Sequence, residues 1–226
     1  MSHYGDNNAP GRIAVVGCGG LGVPAAWTLA LAGARQLRLF DADVVEVSNL
    51  HRQVLYGSSD VGQPKASVLA ALLHKRFGVD CEVVPERLTA ERAEALLAGC
   101  AAALDATDDA ASKFAVNDWA VAGRGRGEPR WSCVAAAIGR RGQWFVTLPH
   151  GPDYRSIFEA PPPDDELATC AIAGVLGPVT GIAGGLAARA LWLALQQRPD
   201  PAHSALQRLE PRGLLRTLPP DCTPGT

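Results

Sequence analysis

Short apolar runs and stretches with helical spacing take turns along this chain. Ile13–Val16, Leu37–Phe40, Cys81–Val84 and Ala101–Leu104 are strand-length apolar segments. Between them lie a small-residue stretch ending near Gly33, a segment from about Gly62 to Phe77, and Ala90–Leu97. Val68, Leu69, Leu72 and Leu73 recur at the three-to-four spacing of one helix face, and Pro64 falls where a first turn tolerates it. Another helical stretch follows Asp109 and runs to Val121. Strands that alternate with helices predict a largely parallel sheet covered on both faces. Trp131–Ala135 and Gln143–Leu148 follow each other with only Gly139 and Gly142 as turn chemistry, which predicts an antiparallel pair and a mixed sheet. A proline-rich, acidic stretch from His150 to Thr169 reads as a surface loop. The helix after Pro178 spaces Gly177, Gly181 and Gly185 along one face, which predicts close contact with another helix. Leu206–Leu209 and Leu214–Leu218 read as a terminal hairpin.

The most specific local pattern is Arg12–Asp41. The first strand breaks into Gly17-Cys18-Gly19-Gly20-Leu21-Gly22, a helix follows, and the second strand ends on Asp41. A dinucleotide-binding βαβ unit needs this order. Gly17 permits the tight turn, Gly19 lets backbone approach a phosphate, and Gly22 allows the helix to pack against the strand. Phosphate oxygens then meet unpaired N–H groups at the positive end of the helix. Asp41 sits where a ribose hydroxyl would be held. A glycine-rich turn in an ordinary α/β protein is the other reading. The expected fold is therefore α/β: a Rossmann-like βαβ nucleotide-binding unit extended into a mixed, mainly parallel sheet with helices on both faces.

Charge and composition narrow the partners. The 226 residues are 47% hydrophobic and 19% charged with a net charge of −2, so neither nucleic acid nor an anionic membrane is expected as the main partner. The arginines at 124, 126, 140 and 141 read as local, solvated groups. Six cysteines lack the spacing of a disulfide framework, and the first ten residues have no apolar core of a signal peptide. A reducing cytoplasm is expected. Leu167–Ala188 has no charge and is long enough for a bilayer, but Pro178 and repeated glycines favour a loop followed by a buried helix. The expected organisation is a polar arm over 1–11, a nucleotide-binding domain over 12–198 with a crossover loop at about 149–173, and a hairpin and tail over 199–226.

The glycine turn is the first of six ordered blocks: Gly17-x-Gly19-Gly20-Leu21-Gly22, Asp41-x-Asp43, Asn49-Leu50-x-Arg52-Gln53, Gly62-x-Pro64-Lys65, Asp105-x-Thr107-Asp108 and Cys170-x-x-x-Gly174 to Pro178. Together they resemble the E1-like activating enzymes, and more closely their bacterial MoeB/ThiF/HesA-type adenylyltransferases, over about residues 12–195. The resemblance implies an ATP- and Mg2+-dependent adenylyltransferase. Its substrate would be the C-terminal glycine carboxylate of a small ubiquitin-like sulfur-carrier protein ending in Gly-Gly, its product pyrophosphate, and its usual state a homodimer. It places Asp41 on the ribose, with Asp43 nearby. Asn49, Arg52, Gln53 and Lys65 fall around the triphosphate, and Asp108 beside Mg2+. Cys170 falls where some relatives carry out thiol transfer.

The chemistry asks for these residue types on its own account. Carboxylate attack on the α-phosphorus brings two anions together, so a bidentate guanidinium and an ammonium are needed as charge moves to the leaving pyrophosphate. Mg2+ takes one or two carboxylates plus phosphate oxygens, which Asp108 at a strand end can supply. Taken singly, Arg52 and Lys65 read as solvated cations, Asn49 as a local turn residue, and Asp105 equally as a turn cap or a contact to ATP. Cys18, Cys81, Cys100 and Cys133 read as packing residues. Two features depart from the resemblance. The positions of the two CxxC pairs that hold zinc in many relatives are Asp153–Ser156 and Cys222–Gly225, leaving one thiol of four, so no zinc is expected. Residues 1–11 also lack the arginine that relatives reach across a dimer, which leaves three readings: a slow chain, substitution by Arg12 or an arginine from 124–130, or a partner that supplies the charge. Three alternatives remain open at this level: a non-catalytic E1-like scaffold subunit, adenylation of a small-molecule or tRNA carboxyl, and an NAD(P)-dependent oxidoreductase.

Overall fold

A computed structural model describes residues 11–161, 174–198, 203 and 205–218. Eight strands form one sheet in the order β3-β2-β1-β4-β5-β6-β7-β8: β1 Arg12–Val16, β2 Gln36–Phe40, β3 Asp80–Val84, β4 Cys100–Asp105, β5 Trp131–Ile138, β6 Arg141–Thr147, β7 Leu206–Leu209 and β8 Leu215–Leu218. The first five run parallel, and β6 to β8 continue the sheet antiparallel. The helices are α1 Gly22–Ala32, α2 Lys65–Phe77, α3 Ala90–Leu96, α4 Ala110–Arg126 and α5 Gly177–Leu195. This is the α/β, mixed and mainly parallel architecture expected from the sequence.

Strand alternation sorts the core into two layers. Ile13 and Val15 of β1 join Leu29, Leu69 and Leu191 beneath α1, α2 and α5. Ala14 and Val16 face the opposite way, into Val116 and Trp119 of α4 and Leu97 beyond α3. Both faces of the central strands are therefore covered, as parallel strands require. A smaller cluster of Phe114, Val134, Phe145, Tyr154, Ile157 and Leu206 covers part of the antiparallel half on the α4 side. Helix α5 is long and apolar enough to cross a membrane, yet half of it is buried in the fold, with Ala183, Ala187, Ala188 and Leu191 fully covered.

Several boundaries differ from the sequence expectation for local reasons. Helix α2 starts at Lys65, not Gly62, because Gly62 turns at φ 86° and donates to the carbonyl of Val45. Pro64 therefore precedes the first turn. Helix α4 continues past Val121 to Arg126; at Gly123 a side chain would meet the carbonyl of Glu128 at 2.5 Å, so glycine lets the chain fold back there. Strand β5 extends to Ile138, opposite Arg141. Gly142 thus lies inside β6, where an added Cβ would sit 2.7 Å from that of Ala183.

Candidate nucleotide site

The parallel strands β2, β1 and β4 are neighbours, so the chain leaves all three at one edge of the sheet. In an open α/β sheet, ligands bind at this edge where the strand order reverses. The glycine turn fills it closely. Gly17 has φ 90°, and a side chain there would reach Ala106 and Thr107 at 3.1 Å. A Cβ on Gly22 would fall 1.7 Å from the carbonyl oxygen of Gly17, so the turn cannot close with any other residue. Above the turn, a Cβ on Gly19 would lie 3.6 Å from Nε2 of Gln53, and one on Gly20 would lie 2.9 Å from Oγ1 of Thr180. Leu21 stands at the N-cap of α1 with no side-chain cap, and the first turn has no acidic residue. Val23 donates its N–H to the carbonyl of Gly19 at 3.0 Å and Pro24 has none, so among the first three helical residues Gly22 is the one whose N–H is left for an anion.

Asp41 is engaged with the turn itself. Its Oδ2 accepts from the backbone N–H of Cys18 at 2.7 Å, and its Oδ1 from that of Asp43 at 2.8 Å. Each carboxylate oxygen keeps a second lone pair for a ribose hydroxyl. Lys65, at the start of α2, is buried and pairs with Asp43 at 3.0 Å. Arg87 stands 3.9 Å from the other Asp43 oxygen.

The 46–53 connection winds through a 3-10 turn, Val47–Asn49, which sets out its side chains. Arg52 donates through Nη2 to Oδ1 of Asn49 at 2.7 Å. His51 donates from Nδ1 to the carbonyl of Ser48 at 2.9 Å, which leaves Nε2 to accept from Arg52 at 3.4 Å. Gln53 is buried, and its Oε1 has no partner among the described residues. An orphaned buried acceptor beside a cradle that a side chain would fill fits a nucleotide at this place.

After β4 the two acids separate in role. Asp105 is fully buried and accepts from Lys113 at 2.8 Å and from the hydroxyl of Ser112 at 2.6 Å. Lys113 also donates to the carbonyls of Thr107 and Ala135, at 2.6 and 2.9 Å. Asp105 is thus neither a bare turn cap nor a ligand group: its charge is consumed inside the fold. Asp109 caps α4 through the N–H groups of Ala111 and Ser112. Asp108, between them, is exposed and has no partner among the described residues. It could give a metal one carboxylate, with phosphate oxygens completing the shell.

Three contributors escaped the sequence. The hydroxyl of Tyr56 is shared between the carbonyls of Cys18, at 2.8 Å, and Lys65, at 3.2 Å, fastening the glycine turn to the start of α2. Lys113 read only as a position in a helix. The start of α5 closes the cradle: a Cβ on Gly177 would meet the carbonyl of His51 at 2.8 Å, and one on Gly184 the carbonyl of Leu21 at 2.2 Å. Close contact therefore falls at Gly177 and Gly184, whereas Gly181 faces open space and Gly185 only nears Thr28. Glycine at a close-approach point was the available signal for α5; nothing in the sequence marked Tyr56.

Cys170 and Cys222 lie outside the described residues. Burial pushes the thiols of Cys18, Cys100 and Cys133 up and raises Cys81 to about 11, so none of these four is poised as a thiolate. Tyr154–Ser156 forms a 3-10 turn capped by the side chains of Asp153 and Ser156, and Arg155 forks onto Asp118 at 2.7 and 2.8 Å. No group of three or more metal-ligating side chains occurs among the described residues.

Residues 8–219 match the model of the ThiF family. The chain is 40% identical over 224 residues to an adenylyltransferase and sulfurtransferase MOCS3 of Sus scrofa, covering 95% of this chain and 48% of that one. It is 40% identical over 192 residues to a sulfur carrier protein adenylyltransferase of Thermus thermophilus, covering 81% and 69%. The chain thus spans about half the length of the MOCS3 protein, and a larger part of the bacterial relative. Among solved structures, E. coli MccB with AMPCPP and MccA superposes with a TM-score of 0.76 at 19% identity, over 95% of this chain and 65% of that one. That last likeness bears on the fold alone.

Proposed function

This chain belongs to the ThiF family, and from that premise we propose that it is an adenylyltransferase that uses ATP and Mg2+ to activate the C-terminal glycine carboxylate of a small sulfur-carrier protein of the ubiquitin-like type. One observation carries the reading. An uncapped, glycine-lined helix start faces Gln53 and the Arg52 turn, on the same sheet edge as Asp108 and beside Lys65.

In the proposed step a carboxylate oxygen of the carrier bonds to the α-phosphorus of ATP. The bond from that phosphorus to the bridging oxygen breaks, and pyrophosphate leaves with the electron pair. No general base is needed, since the carboxylate is already ionised near neutral pH. Asp41 orients the ribose with its unused lone pairs, and Gln53 offers a buried amide to the phosphates. Arg52 and Lys65 neutralise charge as it gathers on the leaving group, where fixed cations in a dry site act most strongly. Asp43 holds the Lys65 ammonium in place until a triphosphate competes for it. Bound Mg2+ would supply Lewis-acid charge neutralisation, and Asp108 would hold it.

The working form is proposed to be a homodimer. Val47 and Val54 flank the Arg52 turn and are about 70% exposed, leaving apolar surface beside the site for a second copy. ATP–pyrophosphate exchange with a Gly-Gly-terminated carrier tests the reading. Carrier-dependent exchange supports it. Absence of exchange with every carrier, together with no thermal stabilisation by ATP-Mg2+, would leave a non-catalytic scaffold subunit instead.

A further inference from the structure

Lys113 is a buried cation at the nucleotide edge that the proposed step does not use. An ammonium has three N–H donors and no acceptor. Here all three are spent: on Oδ1 of Asp105 at 2.8 Å, the carbonyl of Thr107 at 2.6 Å and the carbonyl of Ala135 at 2.9 Å. None is left over for a phosphate, so Lys113 is not a second Lys65. It joins three pieces of chain instead: the end of β4, the loop that leaves it, and the neighbouring strand β5.

The loop it grips is the one that carries Asp108. The Thr107 carbonyl belongs to the planar peptide unit that ends at Cα of Asp108, so fixing that oxygen fixes the direction in which Asp108 sets out. The other side is fixed too. Asp109 accepts from the N–H groups of Ala111 and Ser112, both at 3.1 Å, and donates its own N–H to the Thr107 hydroxyl at 3.2 Å. Asp105 completes the frame by accepting from the N–H of Thr107 at 3.2 Å and from the Ser112 hydroxyl at 2.6 Å. Asp108 is thus an exposed carboxylate on a backbone held from both sides. The loop also backs the glycine turn, since a Cβ on Gly17 would lie 3.1 Å from Ala106 and from Thr107.

Stability does not ask for this arrangement. A buried ion pair is often no more stabilising than apolar side chains of similar volume, because both charges have left water. Its distinguishing property is direction, since three hydrogen bonds from one ammonium to three separate segments hold those segments in one geometry. We propose that Lys113, charge-balanced by Asp105, is a positioning residue that sets the Asp108 carboxylate for the metal that accompanies the nucleotide. The proposal rests on the adenylyltransferase reading and on Asp108 as the metal's carboxylate. Groups that orient a metal ligand typically govern about 10-fold to 100-fold in metal affinity.

Lys113→Met alone strands the Asp105 carboxylate, so the test variant is Asp105→Asn/Lys113→Met. It removes both charges and keeps an amide to pair with Thr107 and Ser112. Titration calorimetry on the full chain measures ATP affinity with Mg2+ and in EDTA, for the parent, this variant, Asp108→Asn and the triple combination. Melting temperatures without ligand check folding. The expected result is that Mg2+ tightens ATP binding by the parent. That gain should shrink about 10-fold to 100-fold in the Asp105→Asn/Lys113→Met variant, with binding in EDTA unchanged. Adding Asp108→Asn should take nothing further, because residues that act through one another do not add. Losses that add, or an equal loss with and without Mg2+, mark a purely structural pair and overturn the proposal. A parent that gains nothing from Mg2+, or a variant that keeps the whole gain, overturns it too. In those cases carrier-dependent pyrophosphate exchange by the parent shows that adenylation stands. A parent that binds no ATP refutes the adenylation reading and this proposal together.

Discussion

The hydroxyl of Tyr56 lies 2.8 Å from the carbonyl oxygen of Cys18, joining a residue of the glycine turn to a tyrosine 38 positions later. The same hydroxyl is 3.2 Å from the carbonyl of Lys65, so one buried side chain sets the distance between the cradle and the ammonium beside it. Among the described residues Tyr56 is the donor to this carbonyl, so Tyr56→Phe leaves Cys18 with an unsatisfied buried acceptor, a loss of about 1–3 kcal/mol. The expected outcome is a lower melting temperature together with a raised KM for ATP. A stability loss with unchanged KM would show that the tyrosine supports the fold without setting the cradle.

Among the described residues the guanidinium of Arg52 meets Asn49 and its neighbour His51. Arg52→Ala should leave the melting temperature nearly unchanged while lowering kcat for exchange by about 100-fold to 1,000-fold, as when a fixed charge-stabilising donor is removed. Steady-state exchange kinetics beside a thermal melt give both quantities.

Asp105 and Asp108 should respond in opposite ways. Lys113→Met leaves the carboxylate of Asp105 buried without its cation, an uncompensated charge that costs about 3–5 kcal/mol. Asp108→Asn touches an exposed group and should leave denaturant unfolding where it was while suppressing Mg2+-dependent exchange. A matching pair of unfolding curves and rates separates the two acids.

The glycines of α5 provide a paired test. Gly184→Ala would place its Cβ 2.2 Å from the carbonyl of Leu21 and should destabilise by about 1–3 kcal/mol through overpacking. Gly181→Ala meets nothing within 4 Å and should stabilise the helix by about 0.5–1 kcal/mol. Equal effects at both positions would contradict the observed seat of α5 on the glycine turn.

Acid should weaken the join between α3 and α4. Hydrogen bonds from Arg130, and then from Arg126, hold the carboxyl of Glu94 down to about 2 from an ordinary 4.5. A depressed folded-state pKa means that the contribution is complete above about pH 4.5 and fades as pH falls toward 2. Glu94 is half-exposed, so solvent screening limits it to under about 1 kcal/mol. The melting-temperature gap between the parent chain and Glu94→Gln should therefore be open at pH 6 and closed near pH 2.

Much of the fold was legible because its signals are local. The alternation of apolar runs with helical spacing marked β1 to β6 and their helices, and the glycines at 17, 19 and 22 marked the turn between β1 and α1. A turn needing positive φ, or an approach too close for a Cβ, writes itself into residue type. Boundaries were less legible where a partner from elsewhere decides them: Gly142 read as a turn residue but lies within β6 under Ala183.

Along the site, the sequence by itself determined which chemical groups are available: a glycine cradle, Asp41, Arg52, Lys65 and Asp108 on connections that follow strands. Only the tertiary structure decided how their charges and hydrogen bonds are spent. It sent Asp105 into a buried pair with Lys113, left Asp108 exposed, paired Lys65 with Asp43, and turned Gly177 and Gly184 of α5 toward the cradle in place of Gly181. The physical reason is that residue type sets what a group can bind, while the rotation of a helix and the neighbours of a strand set what lies within a hydrogen bond of it. Those are properties of packing between elements far apart in the chain.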